Sequence, residues 1–335
     1  MTERGPVVVT GADGFVGRAL CARWAARGRS FRAIVRTGDA SGTSGDKPGC
    51  ALALGDLATV PDADLDAVLA GASAVVHLAG RAHVLRDEAP NPAALYNAAN
   101  VEATRRLAVA AVRAGVDRFI LASSVKVLGE ATRPGRPFDE ASPPSPNDDY
   151  ARSKLAAEEV LREVGGGTSL APIILRLPLV YGPGVRANFL RLFDAVARGA
   201  RLPIGSISNR RDLLYVGNLV AVIEALLDQA RAPAGTWLAA DGEPVSTPEL
   251  ARRIGLALGV APRILTVPVP LLEFAARLAG REGEVTRLAQ SLEIDAKPLR
   301  EVIGAMPYAL DEGLAATARW WRTKLGSDPN FGGGP

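Results

Sequence analysis

The chain has 335 residues, 48% of them hydrophobic and 22% charged, with a formal net charge of +3. That supply of apolar side chains excludes a disordered or low-complexity chain and suffices for more than one core. No apolar run approaches the roughly 18 residues of a membrane span, and no basic run is interleaved with aromatics, so neither a membrane nor a nucleic-acid partner is expected.

The N-terminal MTERGPVVVT enters a β-branched strand almost at once, leaving no room for a signal peptide. With only two cysteines, Cys21 and Cys50, the expected setting is a reducing, cytoplasmic one. Residues 6–10 predict a buried parallel strand. Phe15 to Arg27 predict a helix, with Val16, Leu20 and Trp24 in one apolar row. Gly11, Gly14 and Gly17 of TGADGFVG therefore fall at a strand-to-helix turn, where a tight bend and close backbone approach exclude a Cβ. A helix entered this way offers amide groups and a positive dipole end to phosphates. The spacing G-x-x-G-x-x-G matches the dinucleotide fingerprint only in part, and a ligand-free glycine turn reads the same way by itself.

Further strands are expected at Phe31–Val35, Ala51–Leu54, Ala74–Leu78, Arg118–Ala122 and Pro172–Leu177, with helices between them, notably Asn91–Ala114 and Tyr150–Val164. This alternation predicts an α/β fold of right-handed βαβ units in a doubly wound parallel sheet. Thr37–Gly49, rich in Gly, Ser and Asp, reads as a mobile insertion. Ala131–Asp149, with Pro134, Pro137, Pro143, Pro144 and Pro146, reads as a stiff loop leading into the next helix. After about residue 180 shorter, proline-bounded helices predict a smaller second domain. The expected division is 1–178 and 179–325, with segments of the latter free to return to the sheet, followed by a flexible tail at 326–335.

Tyr150 and Lys154, in YARSK, stand four residues apart and share one helix face. A free phenol has a pKa near ~10, so work at neutrality requires a fall of about three units, or roughly 4 kcal/mol, to which a neighbouring ammonium contributes. Ser124 follows the strand at 118–122, at the sheet edge where open α/β folds place ligands. Its hydroxyl is suited to hold a substrate oxygen beside Tyr150. A surface helix with an exposed lysine is the alternative for the pair alone.

In order, TGADGFVG, GDL at 55–57, HLAG at 77–80, NVEAT at 100–104, SSVKVLG at 123–129, YARSK, RLPLVYGPG at 176–184 and RRDLLYV at 210–216 span nearly the whole chain. The series resembles the extended short-chain dehydrogenase/reductases, in the NAD-dependent epimerase/dehydratase family that acts on nucleotide sugars. The resemblance implies a Rossmann sheet with a smaller C-terminal substrate-binding domain. It implies that Gly11, Gly14 and Gly17, with the backbone of Phe15 and Val16, hold a pyrophosphate. Asp56 and Leu57 would contact the adenine, Ala79 and Gly80 line the cofactor, and Pro178 and Val180 abut the nicotinamide. Ser124, Tyr150 and Lys154 would be catalytic, with Asn100 bracing their helices. Arg211 would grip a diphosphate, as guanidinium forks do, with Asn188 as a further substrate contact. Arg210 and Arg211 also read as a solvated basic strip. His83 is a candidate sugar contact or a structural histidine, and no metal ligands are assigned. Family membership also implies a homodimer formed through the helices at 91–114 and 150–164.

Three departures matter. Val125 and Lys126 stand where the family's dehydratases carry an Asp-Glu pair, which counts against dehydration. Leu128 replaces a tyrosine. Arg36 replaces the acidic residue that ends the second strand and binds the ribose diol. A guanidinium there pairs with a 2′-phosphate, assisted by Thr37, so NADP(H) is favoured over NAD(H); an arginine stacked on adenine would leave NAD bound. SSVKVLGE and RAHVL resemble the UDP-glucose 4-epimerase-like subgroup, which includes reductases of UDP-4-keto-6-deoxy-N-acetylhexosamines. The expected activity is reduction of a UDP-4-keto sugar, in nucleotide-sugar metabolism feeding polysaccharide biosynthesis. The alternatives are a UDP-hexose 4-epimerase with tightly held NAD, a non-catalytic NADP(H)-sensing protein, and a reductase of non-sugar ketones. Retention of Ser124, Tyr150 and Lys154 counts against the sensor, and Arg211 with Asn188 against the non-sugar ketone.

Overall fold

The computed structural model describes residues 5–36, 51–82, 89–133, 135–231, 233–278, 286 and 288–326. Thr37–Gly49, Cys50, His83 and residues 327–335 lie outside this set, and with them the expectations of a mobile insertion, a histidine contact and a flexible tail; Gly326 ends the last helix. The chain divides into two compact units, one of 1–129, 140–177 and 220–238, the other of 130–139, 178–219 and 239–335.

The first unit is built on seven parallel strands. In chain order these are β1 (Val7–Thr10), β2 (Phe31–Val35), β3 (Ala51–Ala53), β4 (Ala74–His77), β5 (Arg118–Ser124), β6 (Ala171–Leu177) and a late strand at Gly235–Leu238. The spatial order is the late strand, then β6-β5-β4-β1-β2-β3. The chain thus winds outward from β1 to β3, then crosses back to β4 and winds the other way. That reversal opens a crevice at the carboxyl ends of β1 and β4, the place where such sheets bind ligands. Every residue of β1 and β4 is buried, as expected when helices cover both sheet faces. Leu65, Leu69, Leu107, Phe119 and Leu161 form one side of the core. Trp24, fully buried, lies edge-on to Phe31 at 5.7 Å.

Three helices of this unit position the site. Helix α1 (Phe15–Ala26) follows the glycine turn directly. The long helix expected at 91–114 is interrupted: α-helical turns at Pro92–Tyr96 and Ala103–Arg113 flank a π-helical segment at Asn97–Glu102. The apolar rows continue across this wider turn, so the spacing shows no break. The catalytic-motif helix spans Asp149–Gly165, one residue longer at each end than expected, because the Asp148 carboxylate caps it by accepting from the Ala151 amide at 2.7 Å. The late strand pairs with β6 from Gly235↔Ile173 to Leu238↔Arg176, a return to the sheet from beyond the second unit's first long segment.

The second unit holds two short parallel pairs, Leu179–Tyr181 with Leu213–Tyr215 and Arg201–Leu202 with Arg263–Ile264. Its helices include Ala187–Ala197, Thr247–Leu258 and Leu310–Gly326. Tyr181 stacks on Phe189 at 5.1 Å and lies 5.6 Å from Tyr215, which meets Tyr308 edge-on at 5.5 Å. The expected loop at 131–149 is split, since residues 130–139 belong to this unit, where Phe138 bridges to Ile294. Among the described residues no helix is long and apolar enough to cross a membrane.

Candidate active site

The glycine turn is closed by its own backbone. A Cβ on Gly17 would overlap the Gly11 carbonyl oxygen, and one on Gly11 (φ +67°) would lie 2.6 Å from the Ala79 nitrogen. Helical hydrogen bonding in α1 begins only with the Arg18 amide donating to the Gly14 carbonyl at 3.0 Å. The amides of Phe15, Val16 and Gly17 therefore have no acceptor within the helix, and Gly14 supplies no side-chain cap. The residues present fit a dinucleotide pyrophosphate: a dipole end, a row of amides, and no side chain in the way.

The sheet edge ties this turn to the catalytic motif. The Ala79 amide donates to Thr10 Oγ1 at 3.3 Å, and Thr10 Oγ1 lies 2.6 Å from His77 Nδ1. Burial pulls His77 down to about 3, with the Lys154 charge adding to the fall, so its ring is neutral where it shares this hydrogen bond with Thr10. One step further, a Cβ on Gly80 would lie 2.6 Å from Asn100 Oδ1 and 3.4 Å from Lys154 Nζ. Gly11, Ala79, Gly80, Asn100 and Lys154 thus form one contiguous line. Asn100 owes its place to the π-helical turn: it accepts from the Arg81 amide at 2.8 Å and donates to Ser153 Oγ at 2.8 Å.

Ser124 ends β5 and caps the 3-10 turn Val125–Val127, accepting from the Lys126 amide at 3.2 Å. Its hydroxyl also hydrogen-bonds the Tyr150 phenol. Burial pushes Tyr150 up to about 12; the Ser124 hydrogen bond opposes that rise, while the Asp148 carboxylate and Tyr96 add to it. Lys154 Nζ donates to the Ala122 carbonyl at 2.9 Å. Burial brings Lys154 down to about 8, against the opposing pull of Glu158. The influence that lowers the phenol is therefore the serine, and the ammonium is engaged with the strand beneath it.

Glu158, four residues beyond Lys154 on the same face, is wholly buried. It accepts from Ser123 Oγ at 2.5 Å, from Arg176 at 3.0 and 2.7 Å, and from Arg162 at 2.9 Å. Sequence reasoning missed this cluster, although the four-residue spacing Tyr150, Lys154, Glu158 signals one shared face. It also missed Asp148, which meets Lys126 Nζ at 2.9 Å.

Next to the edge strand β3, Arg36 follows β2 directly and is exposed, its carbonyl accepting from Gly55 N–H at 3.1 Å. The Asp56 carboxylate accepts from the Ala58 amide at 3.0 Å, and Leu57 is buried. In the second unit Pro178 is buried, and Val180 pairs with Leu214. Asn188 is exposed in the first turn of the helix Ala187–Ala197. Arg210 forms a surface ion pair with Glu293 at 2.9 Å. Arg211 differs: it is partly buried, donates to the Gln290 carbonyl at 2.9 Å, and has its pKa lowered by desolvation. A uniform solvated strip is thus not what the two arginines form. Asp212, beside them, is buried and pushed by desolvation up to about 6.

Residues 7–238 match the model of the NAD dependent epimerase/dehydratase family. Over 315 residues the chain is 36% identical to the UDP-glucose 4-epimerase of Vibrio cholerae, covering 93% of this chain and 94% of that protein. It is 29% identical over 270 residues to the N-acetyl-alpha-D-glucosaminyl-diphospho-ditrans,octacis-undecaprenol 4-epimerase of Escherichia coli O157:H7, covering 76% of this chain and 80% of that one. Among solved structures, MoeE5 in complex with UDP-glucose and NAD superposes with a TM-score of 0.75 at 29% identity, over 96% of this chain and all of that one (100%). The chain belongs to the NAD-dependent epimerase/dehydratase family, as an extended short-chain dehydrogenase/reductase.

Proposed function

We propose that the protein is an NAD(P)-dependent oxidoreductase acting at C4 of a UDP-activated sugar, and that it reduces a UDP-4-keto sugar. The observation that carries this reading is the Ser124–Tyr150 hydrogen bond set one helical turn from Lys154 and in line with the glycine turn. The bound nicotinamide supplies the hydride. Tyr150, held near 12, is protonated at neutral pH and so stands ready to give its proton to the oxygen at C4 as that oxygen gains negative charge. Ser124 holds the same oxygen and steadies the phenol. Lys154, anchored on the Ala122 carbonyl, orients the cofactor ribose. Gly11, Gly14 and Gly17, with the Phe15 and Val16 amides, hold the pyrophosphate. Asp56 and Leu57 border the adenine, Ala79 and Gly80 the middle of the cofactor, and Pro178 and Val180 the nicotinamide. Arg211, already desolvated, takes the substrate diphosphate, with Asn188 beside it. Arg36 favours NADP(H), since its exposed guanidinium follows β2 where a 2′-phosphate is met.

A second reading, a UDP-hexose 4-epimerase with retained NAD, is favoured by the similarity to the Vibrio cholerae epimerase. Mass spectrometry of nucleotide released from the acid-denatured protein separates the two. Loose or absent NADP(H), together with NADPH oxidation on a UDP-4-keto sugar, supports the reductase. Stoichiometric NAD with interconversion of UDP-glucose and UDP-galactose supports the epimerase and overturns the role given to Arg36.

A further inference from the structure

Lys126 stands two residues after Ser124, and its side chain meets Asp148, two residues before Tyr150. The Nζ–Oδ2 distance is 2.9 Å, while the other carboxylate oxygen accepts from the Ala151 amide at 2.7 Å. The carboxylate is thereby pinned from two sides, by the first turn of the helix that carries Tyr150 and by the 3-10 turn that Ser124 caps. Side-chain exposures of 21% for Lys126 and 29% for Asp148 put the pair at a half-dry rim, where charges interact more strongly than in bulk water.

The other charged or titratable groups around Tyr150 are engaged elsewhere. On its own helix, Asp149 pairs with Arg152 at 2.6 Å, Lys154 donates to Ala122, and Glu158 is held by Arg162 and by Arg176 of β6. From the neighbouring helix, Tyr96 lies edge-on at 6.0 Å, itself beneath the Arg81 guanidinium at 5.3 Å. His77 is neutral beneath Lys154. Asp148 is the carboxylate whose charge bears on the phenol and favours its neutral form.

We propose that the Lys126–Asp148 ion pair sets the pH at which Tyr150 exchanges its proton, Lys126 being a positioning residue that cancels most of the Asp148 charge. The inference rests on Tyr150 as the proton-exchanging group of the proposed reaction. Without Lys126 the bare carboxylate holds the proton on the phenol and moves the exchange to higher pH. Without the carboxylate, Lys126 favours the phenolate and moves it lower. The chain has placed a lysine where the resembling dehydratases carry an acid, and the consequence is a working pH tuned from outside the Ser-Tyr-Lys set.

The test uses Lys126→Met, Asp148→Asn and the double variant in the full chain. Asparagine is as good a helix N-cap as aspartate, so the helix start is kept. Two readouts are taken: the pH midpoint of turnover with NADPH and a UDP-4-keto sugar, and the phenolate ultraviolet band titrated with NADP present, each protein measured against its Tyr150→Phe counterpart. Lys126→Met is expected to raise both midpoints by about one pH unit and Asp148→Asn to lower them, with the double variant returning near the parent. Unmoved midpoints in both single variants, or shifts of the same sign, overturn the proposal. A protein that turns over no UDP-sugar overturns the functional reading instead, while the phenolate titration still decides the coupling.

Discussion

Glu158→Gln tests the buried electrostatics beneath the site. The carboxylate is fully buried, and its two oxygens accept four hydrogen bonds, two of them from Arg176, which is itself only 5% exposed. Glutamine has nearly the same shape, but its amide group turns one pair of acceptors into donors facing the Arg guanidinium groups. Breaking one side of a buried ion pair leaves the other charge uncompensated, at a cost of about 3–5 kcal/mol. With a denaturant slope of about 3 kcal/mol per M for a unit of this size, the urea midpoint is expected to fall by about 1–1.7 M. Glu159→Gln, at the exposed neighbouring position, is the control and is expected to stay within about 0.5 kcal/mol. Replacing both partners, as Glu158→Leu with Arg176→Met, is expected to restore most of the loss, because neither charge is then buried alone. The activity readout is separate: Glu158 opposes the fall in the Lys154 pKa, so its loss leaves less Lys154 charged at neutral pH. A midpoint for Glu158→Gln equal to that of Glu159→Gln would refute the reasoning.

Gly17→Ala places a methyl group on the Gly11 carbonyl; titration calorimetry is expected to show nucleotide affinity reduced at least about 100-fold, and undiminished binding would sink the assignment of the turn. Arg211→Ala is expected to raise KM for a UDP-sugar about 10- to 100-fold with a smaller change in kcat; an unchanged KM would remove Arg211 from the diphosphate site. Asp212 and Asp241 are raised from 3.8 to about 6, in both cases first by desolvation. The folded state then binds more protons than the unfolded one between about pH 4 and 6, so stability falls as pH rises through that window and the penalty is complete above it. Asp212→Asn should therefore gain on the parent between about pH 4.5 and 7 in thermal melts, and parallel curves would contradict the assigned cause.

Much of the first unit is legible in the sequence because its signals are local. A β-branched run, three glycines and an amphipathic row specify β1, the turn and α1 with no reference to the remainder. The helix expected from Tyr150 is legible for the same reason, although its cap, Asp148, is passed over. The features that stay hidden depend on distant partners. The strand Gly235–Leu238 is four residues long and partly exposed, and only pairing with β6 makes it a strand. The Glu158 cluster gathers β5, β6 and one helix, and a run such as ILRLP gives no sign that Arg176 points at a buried carboxylate. Asp212 reads as a surface charge after two arginines, yet its carboxylate accepts from the Ile294 amide at 2.8 Å. Lys126 departs from the family pattern in the series SSVKVLG, but its partner lies 22 residues away across a proline-rich stretch.

The π-helical turn at Asn97–Glu102 has a consequence for how this chain tolerates change. Such a turn holds one residue more than the α-helical turn it replaces. Removing any single residue from it would let Pro92 to Arg113 heal into a regular helix with better backbone bonding. Healing would leave the flanking parts of the helix in phase but would draw in the residues that now fill the wider turn, Asn100 among them. Asn100 would then be separated either from Arg81 or from Ser153, the two partners it now joins. Point substitutions along this helix and one-residue deletions within it are therefore different kinds of event. The first alters a contact, while the second exchanges a competent geometry for a sturdier one, so a length polymorphism in this stretch would mark a lineage that has abandoned the chemistry.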